Sequence, residues 1–325
     1  MKSIYAAAFL YAAHAHAEVT SVSILPSATD SAIKTYDAPH WIYVNREILV
    51  EHKEGLLQDR HELLLFIPGT HIKGTPAGGK GPAAFLKLAA NLGYHVIFLH
   101  YPNDIAAARF RESNDPNAFE EFRLAVIKGG HNKYISIERS ESIENRLIKL
   151  LLHLKAIRPK EHWEQFLNDD DTTKWETIAV AGQSQGGGHA ALIGIKHRVA
   201  RVICSGAPKD YNRKLNAPAA WYRHPSATPK ACFFAFNHRQ DPMGCTPEQL
   251  LKNLKTLELD GPSVDVDRQD SPYQHSRMLF TSYPQVTVTG ENSEAAVTAH
   301  ASMLNTKNAD RWKQVWTYLL TEKTP

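Results

Sequence analysis

The amino-acid sequence predicts an α/β fold in which a mostly parallel central sheet is flanked by helices, and three observations support this. Residues 62–67 are predicted to be a strand, because after Glu62 they form a continuous apolar run, as expected for a strand that is buried on both faces of a parallel sheet. Strand-like and helix-like segments then alternate along the chain, which indicates parallel strands joined by crossover helices. In the middle of the chain, residues 175–196 read as a strand that turns sharply into a helix.

Length and composition fit one large α/β domain. The chain has 325 residues, of which 43% are hydrophobic and 22% charged, and no repeat or Pro/Ser-rich linker divides it. With 37 basic and 34 acidic residues the net charge is only +3, so nucleic acid and an anionic membrane surface are not expected as partners. No segment approaches eighteen consecutive apolar residues, so integral membrane association is not expected either.

Residues 1–17 are predicted to be a signal peptide. Lys2 supplies a positive charge, residues 4–13 are apolar but too few to span a bilayer, and two alanines follow where a signal peptidase requires small side chains. Cleavage before Glu18 would leave an α/β domain of residues 18–325, and the protein would be secreted or periplasmic. The alternative is an apolar N-terminal helix that packs on the domain.

The first elements of the predicted sheet come directly after this segment. Two β-rich segments, 19–25 and 41–45, are predicted to be edge strands that precede the main sheet. The buried strand at 62–67 is followed by a loop rich in glycine and proline. A helix at 83–92 and a strand at 94–100 come next, so that strand, helix and strand form a βαβ unit.

A region without regular periodicity follows the fourth strand. Residues 102–140 contain several turn-forming residues and are too many for an ordinary connection, so we predict an inserted loop region, of a kind that often carries function. Beyond it, apolar residues at helical spacing predict a helix that starts at Ser142 and ends before Pro159. The remaining predicted elements are strands at 175–181, 201–205, 231–236 and 277–282 and helices at 187–196, 247–257 and 309–320.

The sharp turn in the middle of the chain has the sequence Gly182-Gln183-Ser184-Gln185-Gly186. This Gly-X-Ser-X-Gly pattern is that of a nucleophile elbow, in which a serine on a tight strand-to-helix corner projects its hydroxyl group into a cleft. The flanking glycines have a steric reason, because side chains at those positions would collide with the adjoining strand and helix. Ser184 is therefore the predicted nucleophile.

With Pro68-Gly69-Thr70 after an early strand, the elbow in the middle and an aspartate and a histidine downstream, the sequence resembles the α/β-hydrolase superfamily over residues 63–320. The stretch GQSQGGGHAA is similar to that of bacterial secreted or periplasmic members. The resemblance implies the α/β-hydrolase fold and ester hydrolysis by a Ser–His–acid triad.

Chain order selects the other two triad residues, because α/β-hydrolases run nucleophile, acid, histidine. Only His275 and His300 follow every plausible acid. His300 is favoured because it follows the strand at 277–282 in a predicted loop, whereas His275 precedes that strand and would lie at the opposite edge of the sheet. Asp241 directly follows the penultimate predicted strand and is favoured as the acid. Asp210, after the preceding strand, is the alternative.

An oxyanion hole needs two backbone N–H groups near the nucleophile. One is predicted at Gln185, the residue after the nucleophile. The other is predicted at Thr70, with His71 as the second choice, because the loop after the early strand usually supplies it. This loop departs from the His-Gly-Gly-Gly pattern of many lipases.

No metal or other cofactor is expected. The three cysteines, Cys204, Cys232 and Cys245, contain no CxxC pair that would suggest a zinc site. Their odd number allows at most one internal disulfide, and a Cys204–Cys245 bridge is possible because both residues are predicted near the same edge of the sheet. The acidic run at 169–171 is best explained as a solvated loop, since its spacing matches no calcium loop.

The function predicted from these features is that of an exported serine esterase that forms an acyl-enzyme on Ser184. A carboxylesterase is favoured, and lipases and polyester hydrolases are included, so the substrate would be a small-molecule or polymeric ester. An amidase or peptidase with the same triad and a non-catalytic binding protein of this fold are the alternatives. The oligomeric state is not predicted.

Overall fold

The computed structural model describes residues 19–49, 57–76 and 81–323. The predicted signal peptide, residues 1–17, lies outside the described residues. Within the described part, the chain is built around a nine-stranded sheet. In chain order its strands are β1 Val19–Ile24, β2 His40–Asn45, β3 Leu63–Ile67, β4 His95–Phe98, β5 Ile178–Gln183, β6 Arg201–Ser205, β7 Phe233–His238, β8 Ser263–Asp265 and β9 Met278–Thr281.

The strands are arranged in the order β1-β2-β4-β3-β5-β6-β7-β9-β8. The β1–β2 and β2–β4 pairs are antiparallel, and every other neighbouring pair is parallel. The predicted mostly parallel sheet is therefore confirmed, with the two predicted edge strands added to it in antiparallel orientation.

Helices cover both faces of the sheet, so the central strands are buried on both sides. The main helices are α1 Ala83–Asn91, α2 Ala118–Lys128, α3 Ile143–Ile157, α4 Gln185–Lys196, α5 Pro247–Thr256, α6 Glu294–Ala301 and α7 Ala309–Thr321. Along β3, Leu65 packs into a core that includes α3, while Phe66 packs into a second core that includes α1 and α7. This alternation across two apolar layers explains the continuous apolar run of the strand.

The region between β4 and α3 is more regular than predicted. It contains α2, whose Phe119, Phe122 and Val126 are fully buried, followed by a short two-stranded ribbon. The prediction of a loop over residues 102–140 is wrong for this part. The helical spacing was hidden because Arg123, a charged residue, also faces the interior.

Two further differences concern the last third of the chain. His300 lies in the last turn of α6, and not in a loop. The sequence pattern did not indicate β8, because this edge strand is only three residues long.

All three cysteines are free and buried, so the possible Cys204–Cys245 bridge is absent. None of the helices in the described ranges is long and apolar enough to cross a bilayer.

Candidate active site

The candidate site lies at the carboxyl edge of the parallel strands. Ser184 directly follows β5, Lys209 lies in the loop after β6, and Asp241 lies in the loop after β7. His300 comes from α6, the first helix after β9. Because the carboxyl ends of parallel strands meet at one edge of a sheet, these residues converge although they are far apart in sequence.

Ser184 has the strained backbone expected of a nucleophile elbow. Its φ is 55° and its ψ is −122°, a conformation that non-glycine residues rarely adopt. Its N–H donates to the carbonyl oxygen of Ser205 over 2.9 Å, which ties the corner to β6. A Cβ atom on Gly186 would lie 2.0 Å from the carbonyl oxygen of Ile67. Glycine is therefore required here for the elbow to approach β3.

His300 and Asp241 are in direct contact. Nδ1 of His300 lies 2.7 Å from Oδ2 of Asp241, and the carboxylate is completely buried. Because Nδ1 faces the carboxylate, Nε2 is the ring nitrogen left for a proton transfer in the cleft. His300 and Ser184 line the same cleft, which has a volume of about 840 Å³.

Asp241 has a second partner, the ammonium group of Lys209. Nζ of Lys209 donates to Oδ2 of Asp241 over 2.6 Å, and the N–H of Met243 donates to Oδ1 over 3.0 Å. Burial by itself raises the pKa of Asp241, but the neighbouring His300 and Lys209 outweigh this effect and lower the pKa to about 2. Asp241 is therefore a carboxylate throughout the neutral pH range.

Asp210, the alternative acid, is occupied elsewhere. Its two carboxylate oxygens each accept a hydrogen bond from Arg123 over 2.6 Å, and Nε1 of Trp221 donates to Oδ2 over 3.0 Å. All three side chains are buried. Asp210 thus forms a buried ion pair in the wall of the cleft, and it is Asp241 that the structure brings to His300.

His275, the alternative histidine, lies just before β9, at the opposite edge of the sheet from the elbow. Its Nδ1 contacts Oε1 of Glu322 at 2.5 Å, and its side chain is exposed. This position agrees with the sequence analysis, which disfavoured His275 because it precedes this strand.

The loop after β3 lies directly against Ser184. A Cβ atom on Gly69 would be 3.3 Å from Cβ of Ser184, and Thr70 and Gln185 both line the cleft. The N–H of His71 donates to the carbonyl oxygen of Asn103 over 3.1 Å, so this second choice of oxyanion donor is already occupied. Gln185 is the first residue of α4, where a backbone N–H has no partner within the helix.

The inserted region between β4 and α3 forms one wall of the cleft. The Gln185 side chain is tied to this wall: its Oε1 accepts from the N–H of Ala107 over 2.7 Å, and its Nε2 donates to the carbonyl oxygen of Ile105 over 3.0 Å. Across the mouth, Glu291 pairs with Arg111 and with Arg213. Other residues of the insertion that line the cleft are Ala106, Ala108, Arg109 and Glu112.

Three residues that contact the site machinery were not selected from the sequence: Asn103, Arg123 and Lys209. Of these three residues, only Arg123 left a signal in the sequence. A Cβ atom on Gly188 would lie 2.2 Å from Nη2 of Arg123, so the third glycine of the run after Ser184 makes room for a buried guanidinium group.

Metal binding has no evident place in the described residues. No group of three or more His, Cys, Asp or Glu side chains within those ranges is arranged to hold a metal ion. Residues 169–171 form an exposed turn, in which Asp170 accepts hydrogen bonds from Thr172.

The fold and the elbow together define a class of protein. A mostly parallel sheet with the order β1-β2-β4-β3-β5-β6-β7, an antiparallel second strand and a strained serine between β5 and the following helix are the features of the α/β-hydrolase fold. The described chain has this fold.

Comparison with known proteins adds solved structures of low similarity. No protein-family model matches the sequence, and no curated protein sequence matches it. A candidate carboxylesterase from Lactobacillus plantarum WCFS1 is 13% identical, with 93% of this chain and 100% of that chain covered and a TM-score of 0.38. MGS-M1, an α/β-hydrolase from a Medee basin deep-sea metagenome library, is 13% identical, with 94% and 99% covered and a TM-score of 0.42. The fold assignment rests on the strand order and the elbow.

Proposed function

We propose that this protein is a serine hydrolase that cleaves carboxylic esters with the triad Ser184, His300 and Asp241. The observation that supports this best is the 2.7 Å contact between His300 and Asp241 in the cleft that also contains Ser184. A carboxylate that orients a histidine, next to a serine at an elbow, is the arrangement that activates a hydroxyl nucleophile.

The reaction proceeds through an acyl-enzyme. Nε2 of His300 accepts the proton of the Ser184 hydroxyl as Oγ attacks the carbonyl carbon of the ester, and Asp241 stabilises the imidazolium that forms. The N–H groups of Thr70 and Gln185 receive the negative charge on the carbonyl oxygen, an interaction worth about 3 kcal/mol per donor. Collapse of this tetrahedral intermediate breaks the bond to the alcohol, which leaves with the proton from His300. Water then releases the acid by the same steps.

The strained nucleophile favours this proposal over a non-catalytic role. A residue held at a φ of 55° and a ψ of −122° costs about 1–3 kcal/mol, and such conformations concentrate at functional sites. An amidase or peptidase would use the same groups and remains the second candidate, to be separated from an esterase by its substrate.

Hydrolysis of p-nitrophenyl butyrate by the wild type and by Ser184→Ala tests the proposal. We expect the substitution to reduce the rate by at least about 1,000-fold, because the acyl-enzyme cannot form. The melting temperature should be unchanged or higher, since the variant keeps the elbow and its hydrogen bonds. Wild-type rates in a folded Ser184→Ala protein would refute the triad.

We further propose that the protein is exported, on the basis of the signal-peptide pattern of residues 1–17. Expression of the full chain in a bacterium and sequencing of the N-terminus tests this. A protein that starts at Glu18, recovered from the periplasm or the medium, is expected. An intact N-terminus on cytoplasmic protein would argue against export.

A further inference from the structure

Lys209 makes two hydrogen bonds to Asp241. Its Nζ donates to Oδ2 over 2.6 Å and to the backbone carbonyl oxygen of the same residue over 3.2 Å. The Lys209 side chain is almost completely buried, and it lines the cleft together with Ser184 and His300. Two hydrogen bonds to one residue fix the position of the ammonium group.

The ammonium group and the imidazole compete for the same oxygen atom. Oδ2 of Asp241 lies 2.7 Å from Nδ1 of His300 and 2.6 Å from Nζ of Lys209. The negative charge that would stabilise a protonated His300 is therefore partly neutralised before the reaction starts. When His300 takes up a proton, two positive charges face one carboxylate at hydrogen-bond distance.

We propose that Lys209 is a positioning residue of the triad, which holds the Asp241 carboxylate in place and keeps His300 neutral, and so able to accept a proton, at a lower pH than Asp241 alone would allow. The inference rests on the proposed function, in which His300 is the general base. It predicts an esterase whose activity extends further into the acidic range than that of the same site without the lysine.

The other charged side chains that line the cleft are either paired with one another or exposed, as Arg109 and Glu112 are. Asp210 is bound by Arg123, and Glu291 is bound by Arg111 and Arg213. Cys245 is buried, and burial raises the pKa of its thiol to about 12, so it is uncharged at neutral pH. Among the described residues, Lys209 is thus the cation that is hydrogen-bonded to the Asp241 carboxylate.

The pH dependence of kcat/KM for p-nitrophenyl butyrate in three variants tests the inference. Lys209→Met and Lys209→Gln remove the charge, and Lys209→Arg keeps it. We expect the acid limb of the profile to move to higher pH by about one unit in the two neutral variants and to stay near the wild-type position in Lys209→Arg. Arg109→Met, which removes an exposed charge from the same cleft, should leave the acid limb unmoved.

An NMR titration of the His300 ring, assigned with a His300→Gln variant, gives the same comparison without turnover. An unmoved acid limb in folded neutral variants would overturn the inference, and so would neutral variants that unfold while Lys209→Arg folds, because the role would then be structural. Absence of Ser184-dependent hydrolysis in the wild type would contradict the proposed function instead, and the NMR titration would still decide the role of Lys209.

Discussion

Two buried aspartates lie close to the elbow, and their partners give them different roles. Asp241 binds a histidine and a lysine that both face the cleft, whereas Asp210 binds an arginine whose other hydrogen bond goes to the carbonyl oxygen of Gln185. A carboxylate that touches the base affects the reaction. A carboxylate that neutralises a buried guanidinium group affects the free energy of unfolding.

A matched pair of isosteric substitutions separates these roles. Asp241→Asn should reduce kcat by about 1,000-fold or more, because the amide cannot stabilise the imidazolium. Asp210→Asn should instead reduce the free energy of unfolding by about 3 kcal/mol, because it leaves Arg123 buried without its counter-charge. Ester turnover and urea denaturation of both variants provide the measurements.

The opposite pattern would reassign the acid. A stable, inactive Asp210→Asn protein together with an active Asp241→Asn protein would show that the triad acid is Asp210, after β6, and not Asp241, after β7.

Site residues differed in how far they could be predicted. Ser184, Asp241 and His300, the proposed triad, could be selected because a short motif and the order of residues along the chain point to them. Arg123 and Lys209 could not, because their roles come from partners 87 and 32 residues away in sequence. Such contacts depend on the tertiary structure, and Gly188, which makes room for Arg123, does not by itself identify the arginine.

At the scale of elements, one residue, Asn103, makes three hydrogen bonds to the loop that follows β3. Nδ2 of Asn103 donates to the carbonyl oxygens of Gly69 and Ile72 over 2.9 and 3.1 Å, and its backbone carbonyl accepts from His71. Asn103 is buried. These three hydrogen bonds surround Thr70 and so fix the direction of the proposed oxyanion donor.

Asn103→Ala should therefore reduce kcat by about 10- to 100-fold while KM changes little, because the proposed donor acts on the transition state and a small displacement of it weakens that interaction. Steady-state kinetics with p-nitrophenyl butyrate measures this. Asn132→Ala is a matched control, since it also removes an amide that bonds a backbone carbonyl but lies in an exposed turn. A change in KM alone, or an equal reduction of kcat in the control variant, would contradict the role given to Asn103.

The predictability of an element depended on its hydrophobic pattern. Strands β3 and β6, which are buried on both faces, were placed within one residue of their bounds. Helix α6 was missed because it presents no clear apolar face, with Val297 exposed and alanines at several positions. Its one signal was Ser293, whose side chain accepts a hydrogen bond from the N–H of Ala296 as an N-cap.

At the scale of the whole molecule, the sequence indicated the class of fold but not the order in which the strands pair. Alternating apolar segments predicted a parallel sheet with helices on both faces, and two apolar cores separated by that sheet confirm it. The strand order and the antiparallel addition of β1 and β2 depend on pairings between distant segments. No local pattern specifies such pairings.

The cleft is also a property of the whole molecule. Its walls come from the loop after β3, the inserted region, the loops after β6 and β7, and the segment leading into α6. The shape of the cleft therefore could not be predicted from any one segment, whereas Ser184, the proposed nucleophile, could. This is why the sequence pointed to a reaction more firmly than to a substrate.

The most direct test of the central claim is covalent labelling of the purified protein with a fluorophosphonate, followed by peptide mass spectrometry. The triad predicts one phosphonyl group per chain, located on Ser184, with labelling of His300→Gln and Asp241→Asn slowed by at least about 100-fold because the hydroxyl loses its base. An enzyme that hydrolyses p-nitrophenyl butyrate but is labelled on another residue, or is not labelled at all, would contradict the claim.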